Sequence, residues 1–250
     1  MPVSLEVAAG LDEAFSKSKQ ILSDFLNALD TAWVGWKSGD PIPSVSYEQF
    51  DYNKHFAEVV INSFYNSISN GFLTIPPGVI AGTYLLGSYV SAMPAVCSWK
   101  EGTEVQTHID AVKSYLESMF LLASGGAFDG GVALLGLASC IANEVHAMVS
   151  MGKLSADAVV GVYTIPGSPP VVSSISIDVS GSLTGVNVSL VNSIFQALNS
   201  TGSSPDQQHM QIGQAMEEAL VSYCLGLSGV VVGEGLGSSC AGSFIGFVVS

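Results

Sequence analysis

The sequence predicts an α+β fold that is mainly helical and built from repeated helix-plus-strand subdomains. An apolar-striped helix, a glycine and a short β-branched run follow one another three times, at 56–82, 137–161 and 214–233. Within each copy the apolar residues recur at helical spacing before the β-branched run begins. A β or extended insertion is predicted near 160–189, because this stretch is rich in Val, Ser, Gly and Pro and partly alternates apolar with polar residues.

The copies align most closely where the helix ends. Gly71 matches Gly152, and the third copy aligns without a gap so that Cys224 takes the same position. Because glycine has no Cβ, Gly71 and Gly152 are predicted to cap their helices in the left-handed conformation. The uneven spacing of the copies excludes an even tandem solenoid and indicates subdomains separated by insertions. A chance likeness between amphipathic helices remains the alternative.

Four units follow from this organisation. They are an N-terminal helix and linker at 1–50, a first helix/strand subdomain at 51–128, a second subdomain with the extended insertion at 129–204, and a third helix/strand unit at 205–250. Helices are predicted at 5–30, with a joint at Gly10, and at 103–123, 132–151, 187–200 and 205–225. The stretch 73–92 is compatible with a strand or a short helix, and 167–170 is predicted to turn the extended insertion.

Charge and composition exclude some classes of function. The chain has seven lysines, no arginine and a net charge of −14, so it has no basic cluster with which to neutralise nucleic-acid phosphates. Arginine is also the usual bidentate clamp for carboxylate or phosphate substrates. Only 11% of residues are charged, while 48% are hydrophobic. Much of this chain is therefore expected to be covered by itself or by partners.

The cysteines and histidines form no recognisable site in the sequence. Cys97, Cys140, Cys224 and Cys240 are far apart, which favours reduced, buried thiols over disulfides or a zinc site. His55, His108, His146 and His209 include no pair four residues apart, as a helical metal site requires. We find no nucleophile motif, and adjacent Glu217 and Glu218 are predicted to lie on a solvated helix face. No catalytic, cofactor-binding or metal-binding residue is predicted, and no cofactor.

A membrane location is not favoured. Residues 59–99 contain no charged residue or histidine, but Pro76, Pro77 and Gly78 would break or kink a spanning helix. The chain does not open with the basic and apolar regions of a signal peptide, so secretion by that route is not expected.

The C-terminal region mixes glycine with apolar residues and ends in the apolar run FIGFVVS. A free apolar strand promotes aggregation, so this run is predicted to pair in a sheet, within this chain or with a neighbouring subunit. Four apolar residues are predicted as assembly contacts: Val231, Phe244, Ile245 and Phe247.

In style, this combination resembles the small structural proteins of tailed-bacteriophage virions, such as capsid, neck, tail or baseplate components. The features that carry the resemblance are the repeated V-S-x-G/C…V-V-G segments, the Ser/Gly/Pro insertion at 160–189 and the apolar C-terminal strand. The resemblance implies a non-enzymatic role in assembly, in a virion made in the host cytoplasm, with copies of itself and other structural proteins as partners and no cofactor. The lack of arginine argues against direct contact with DNA.

Two other classes of function stay open. One is a soluble enzyme with an apolar pocket between subdomains, and the other is a membrane-associated protein that uses 59–99 and 225–250. A charge at Val231 or Ile245 is expected to block oligomerisation of an assembly protein, but only to destabilise an enzyme.

Overall fold

The computed structural model describes residues 3–37, 51–84, 86–100, 102–124, 129–167, 173–199, 204–234, 241–245 and 247–249. Its helices are α1 (Val3–Lys37), α2 (Tyr52–Ser69), α3 (Val105–Ser124), α4 (Gly130–Met151), α5 (Val188–Leu198) and α6 (Pro205–Leu225). Its strands are β1 (Phe72–Ile75), β2 (Ala81–Tyr84), β3 (Gly87–Ser91), β4 (Ala95–Lys100), β5 (Lys153–Thr164), β6 (Ser173–Thr184), β7 (Ser228–Glu234) and β8 (Ala241–Ile245). Cys240 and most of the predicted turn at 167–170 lie outside the described residues.

The order of the elements confirms a mainly helical α+β fold with repeated helix-plus-strand units. Two helices precede each group of strands: α1 and α2 precede β1 to β4, α3 and α4 precede β5 and β6, and α5 and α6 precede β7 and β8. The predicted extended insertion corresponds to the β5–β6 hairpin, whose two strands are antiparallel. The sequence-based division at 51, 129 and 205 starts each unit one helix later than this structural repeat.

The strands form one antiparallel sheet that closes on itself. Around the ring, β5 pairs with β6, β6 with β7, β7 with β8, β8 with β2, β2 with β3, and β3 with β5. The link between β8 and β2 is a single residue pair, Ala81 opposite Ala241. A second link, the bridge between Phe72 and Val248, joins the end of the chain to β1.

Two short strand pairs share the remaining side of this barrel. The first residues of β5 pair with β4, and its last residues pair with β3 along the same edge. β1 pairs with β4, and β2 pairs with β3, so these four short strands act as one interrupted hairpin. The interruption contains Pro76, which cannot donate a ladder hydrogen bond. The barrel therefore has six strand positions.

The helices form a second ring. Each of α1 to α6 packs against the next, and α6 packs against α1. Because α2, α4 and α6 end directly before β1, β5 and β7, the helices lie at the end of the barrel where those strands begin. One hydrophobic core runs through both layers, and its fully buried members include Phe64 of α2, Ile141 of α4 and Leu183 of β6.

Side chains cap the starts of α2, α4 and α6, and Asp129 is the capping residue of α4. The side chain of Asp51 accepts a hydrogen bond from the backbone amide of Lys54 at the start of α2. The side chain of Ser204 accepts one from the amide of Gln207 at the start of α6, which agrees with the predicted start of this helix at 205. The expected joint at Gly10 is wrong, since α1 runs through this residue without a break. Glycine at this position instead allows α2 to pack closely against α1, because a Cβ at Gly10 would lie 2.5 Å from the methyl groups of Val59.

The predicted left-handed caps at Gly71 and Gly152 are also wrong. Gly152 has φ −68°, and positive φ occurs among the described glycines only at Gly78, Gly82 and Gly167. The two glycines are required by close approach instead. A Cβ at Gly71 would lie 2.5 Å from the ring of Phe247, and one at Gly152 would collide with the indole of Trp99.

The third copy of the repeat is shifted by three residues relative to the gap-free alignment. β7 begins at Ser228, so Leu227 rather than Cys224 takes the place of Gly71 and Gly152 before the strand. Leu227 is fully buried and lies against Gly185, where a Cβ would meet its side chain at 2.6 Å. In the second copy a glycine comes before the strand and a large side chain from another strand covers it. In the third copy the large side chain comes before the strand and covers a glycine, so the two sequences do not match at this position.

Candidate functional site

The outer surface of the barrel carries exposed apolar side chains. An antiparallel sheet with one solvated face normally places polar residues outside. Here Val96 is 60% exposed, Val230 53%, Val232 47%, Val248 47% and Phe72 43%. We call these five residues the apolar barrel face.

These residues lie on neighbouring strand positions. Phe72 and Val248 are bridge partners, and Val96 lies opposite Thr74, two residues along β1 from Phe72. Val230 lies opposite Ser243 of β8, which comes five residues before Val248 in the chain. The face therefore extends across β4, β1, the end of the chain with β8, and β7. Exposed apolar patches of this kind mark surfaces that bind partners or aggregate.

Charged residues border this face. Lys100 of β4 lies directly opposite Lys153 of β5, and both are exposed. On the other border, exposed Asp178 of β6 lies directly opposite Glu234 of β7. The face thus has an exposed lysine pair near one margin and exposed Asp178 near the other.

Two of the four predicted assembly residues do not lie on this surface. Val231 and Phe247 are 0% and 1% exposed, because their side chains fill the core of this chain. The prediction that Val231 and Phe247 contact another subunit is therefore wrong for this structure, because neither side chain is accessible. The backbones of Phe244 and Ile245 belong to β8 and pair with Gly229 and Ser228, while their side chains lie outside the described residues.

The register explains the error at Val231. Successive strand residues point to opposite faces of a sheet, so Val231 points inward while Val230 and Val232 point outward. The run of three valines at 230–232 was the signal in the sequence. A strand that is apolar on both faces exposes apolar side chains on its outer face unless another element or another protein covers them. The predicted pairing of the C-terminal run is found within this chain, between β8 and β7.

A hydroxyl, an imidazole and a carboxylate meet between α3 and α4. His108 is 3% exposed, its Nε2 lies 2.9 Å from Thr103 Oγ1, and its Nδ1 lies 2.8 Å from Glu144 Oε2. This is the order of groups that activates a nucleophile in serine hydrolases. This arrangement is not visible in the sequence, because Glu144 lies on α4, 36 residues after His108.

The other histidines also connect helices. His146 Nδ1 of α4 lies 2.6 Å from the hydroxyl of Tyr223 in α6, and burial raises the pKa of that tyrosine. His209 Nδ1 of α6 lies 2.5 Å from Asp12 Oδ1 of α1. Among the described residues, no group of three or more His, Cys, Asp or Glu side chains is placed to hold a metal ion.

Three cysteines are free thiols within the described chain. Burial raises the pKa of Cys97 to about 11 and that of Cys224 to about 12. Burial, together with the nearby charge of Glu144, raises the pKa of Cys140 to about 11. A thiol with such a pKa is almost entirely protonated at neutral pH, so none of the three is activated as a nucleophile.

Two open clefts in the described part of the chain run along α6, and neither is lined by a residue of the histidine cluster. One lies against α5 and is lined by Asn192, Gln196 and Glu218, and the other lies beside Ser4 of α1 and is lined by Glu217. Glu217 is not a purely solvated residue as predicted, since its Oε2 accepts the amide of Ser4 at 2.9 Å.

One helix of the described chain, Gly130–Met151, is long and apolar enough to cross a membrane. It is also a core helix, because Leu137, Ile141, Val145 and Met148 are buried within this chain, and core helices commonly pass the same test. The charge-free stretch 59–99 forms most of α2 and strands β1 to β4.

Comparisons of the chain with protein-family models, with curated proteins and with solved structures gave no match.

Proposed function

We propose that the chain is a non-enzymatic structural subunit that assembles through its apolar barrel face. The observation that carries the proposal is the exposure of Phe72, Val96, Val230, Val232 and Val248 on adjoining strand positions. Burial of such side chains is favourable by roughly 25 cal/mol per Å² of apolar surface removed from water. Contact with another protein is the simplest way for this surface to lose its water.

We further propose that the assembly is a viral particle and that the partners are copies of this chain and other structural proteins. The support is the resemblance in composition and repeat style to virion proteins of tailed bacteriophages. The net charge of −14 and the absence of arginine favour protein partners over packaged nucleic acid.

The experiment combines mutation of the face with measurement of mass. The paired substitution Val96→Asp with Val230→Asp places charge on the exposed face, where folding is little affected. We expect the wild type to form oligomers and this variant to be a folded monomer, by size-exclusion chromatography with light scattering and by circular dichroism. Val186→Asp is the matched control, because Val186 is 77% exposed and lies before α5. A wild type that stays monomeric at high concentration would refute self-assembly.

The test must use Val230 rather than Val231. A carboxylate at Val231 would be buried in the core and would unfold the chain whatever its function. Such a substitution therefore cannot separate an assembly protein from an enzyme.

A hydrolase is the second candidate, and the Thr103–His108–Glu144 arrangement is the observation that favours it. In that function His108 would take the proton of Thr103 as its hydroxyl attacks an acyl carbon. The test is hydrolysis of p-nitrophenyl acetate by the wild type and by Thr103→Val. Turnover by the wild type that is lost in the variant would support the enzyme, and equal rates would remove this candidate.

A further inference from the structure

We propose that residues 247–249 of one copy dock on β1 of a second copy, with Phe247 packed over Gly71 of that copy. We call these three residues the arm. In the single chain the arm binds its own β1. In the assembly each copy would receive the arm of a neighbour. This inference rests on the proposed function, because it names the segment that assembling copies exchange.

The first step of the argument is the fit of the arm on β1. Phe247 is 1% exposed, and a Cβ on Gly71 would lie 2.5 Å from its ring. The amide of Phe72 donates to the carbonyl of Val248 at 2.8 Å, and the amide of Val248 donates to the carbonyl of Phe72 at 3.0 Å. The amide of Phe247 donates to the carbonyl of Cys224 at 2.9 Å. Backbone bonds to a strand edge, together with one buried side chain, are the way in which proteins bind an extended peptide by strand addition.

The second step is the weakness of the seam that the arm closes. Seven residue pairs join β6 to β7, whereas in the described chain β8 and β2 share one pair and the arm adds one bridge to β1. β8 is held separately, by five residue pairs with β7. Release of the arm therefore breaks few hydrogen bonds and leaves the rest of the sheet paired. Because release also uncovers the ring of Phe247, it favours capture of the arm by an equivalent site.

The third step is the identity of that site. A second copy carries the same Gly71 and the same strand edge, so an exchanged arm makes the same bonds as it does within one chain. Exchange of an identical element is a low-cost route to oligomers. Residues 235–250 contain no charged side chain, so the arm itself adds nothing to the repulsion between two copies of net charge −14. A second copy therefore fits this segment without any new contact.

The fourth step links the exchange to the apolar barrel face. An arm that is tethered to its own β1 acts at an effective concentration on the order of millimolar, so exchange needs a further gain in free energy. Phe72 and Val248 belong to the apolar barrel face and are 43% and 47% exposed. Two copies that meet through this face therefore bring their arms and β1 edges together. Burial of the face at roughly 25 cal/mol per Å² supplies the gain.

The experiment joins the arm to β1 with a disulfide. A Phe72→Cys copy and a Val248→Cys copy are co-expressed with different affinity tags, and sequential purification isolates the mixed assemblies. Non-reducing electrophoresis after oxidation shows covalent dimers, and mass spectrometry of peptides identifies the link between positions 72 and 248. This link requires the arm of one copy to lie on β1 of the other, because cysteines whose Cα atoms are more than about 7 Å apart are not bridged.

The control replaces Val248→Cys by Val230→Cys. Val230 is 53% exposed on the same face, but its partner is Ser243 rather than Phe72. We expect at least about tenfold more linked dimer from the first pair of variants than from the control pair. Adding Val96→Asp to both copies of the first pair should lower the yield of linked dimer, because exchange depends on burial of the face. An undiminished yield would overturn this dependence.

The outcomes separate this inference from the proposed function. If the copies assemble but give no more linked dimer than the control pair, the arm is not exchanged and the assembly function stands. In that case a single chain with both Phe72→Cys and Val248→Cys should form its disulfide internally and run as a monomer. A wild type that stays monomeric would overturn both proposals. Circular dichroism of each variant shows that it is folded.

Discussion

The indole of Trp99 lies over Gly152 at the junction of β4 and β5. A Cβ at Gly152 would collide with the indole nitrogen, which donates a hydrogen bond to the carbonyl of Val149 at 3.4 Å. Phe247 covers Gly71 in the same way at the junction of the chain end with β1. At the β6–β7 junction the fully buried Leu227 lies against Gly185 instead, so here the residue that comes directly before the strand has the large side chain. At each junction one large side chain and one glycine share the same space, but the residue that supplies the large side chain differs between the repeats.

Gly152→Ala should destabilise the protein by about 1–3 kcal/mol, as expected when a methyl group is added to a full core. Gly131→Ala is the control, because the nearest atom to a Cβ there is 3.5 Å away. Urea unfolding measures both. In a Trp99→Leu background Gly152→Ala should cost at least about 1 kcal/mol less, because the two residues share one volume. Equal costs in both backgrounds would show that Trp99 is not the obstacle.

Removing Glu144 should destabilise the α3–α4 pair. His108 is buried and forms hydrogen bonds with Glu144 and Thr103. Glu144→Ala therefore leaves the buried Nδ1 of His108 without its hydrogen-bond partner. Such a loss costs about 1–3 kcal/mol in the free energy of unfolding. Glu117→Ala is the matched control, since Glu117 is exposed on α3 and forms an i,i+4 ion pair with Lys113. A surface pair of this kind contributes little to the free energy of unfolding, because water screens it. A Glu144→Ala variant as stable as Glu117→Ala would contradict this expectation.

The three described thiols should react slowly with iodoacetamide in the native protein. Because the thiolate is the reactive form, pKa values of about 11 for Cys97 and Cys140 and about 12 for Cys224 leave few reactive groups at pH 8. Each should be alkylated at least about 100-fold more slowly than in guanidinium chloride, where the pKa returns to about 8.5. Mass spectrometry of peptides gives the rate at each site. Rapid native alkylation of Cys97 would show that the barrel opens readily.

Asp51 should contribute stability that depends on pH. Its carboxylate accepts the Lys54 amide and lies 3.1 Å from Lys113 Nζ, and the first of these contacts is the main cause of a pKa below the ordinary 3.8. Because the pKa is lowered in the folded state, the stabilisation is present above pH 3.8 and is lost as pH falls through the folded value.

Asp51→Ala should therefore cost about 1 kcal/mol at pH 7, the usual value of an N-cap, and nothing once the carboxyl of the wild type is protonated. Urea unfolding at pH 7 and at about pH 2.5 compares the two conditions. Lys113→Met keeps the cap and removes only the ion pair, so its effect should be smaller. A difference between wild type and Asp51→Ala that persists unchanged in acid would contradict the capping role.

Periodicity and capping residues predict the helices of this chain well. The last helix was predicted from Ser204 and Pro205, and α6 has the Ser204 cap and begins at Pro205. These are local effects, and a sequence displays them directly. The closed barrel could not be predicted in the same way, because pairings such as Phe72 with Val248 join residues far apart in the chain.

The candidate surface was predicted only in part. The apolar C-terminal region was correctly expected to pair in a sheet, but which valines face outward depends on strand register. A shift of one residue exchanges the two faces, so the Gly-Val-Val-Val-Gly run does not by itself choose between Val231 and its neighbours. The partnership of His108 with Glu144 was missed for a related reason, since it depends on how α3 and α4 pack.

The bridge between Phe72 and Val248 also has a consequence for the timing of folding. At a synthesis rate of about 5–20 residues per second, Val248 is made roughly 10–35 s after Phe72. During that time β1 can pair with β4, but its other edge has no partner in the emerging chain. The interval before the ring closes is therefore when this chain is most exposed to pairing with other chains, and protection at the ribosome would matter most then.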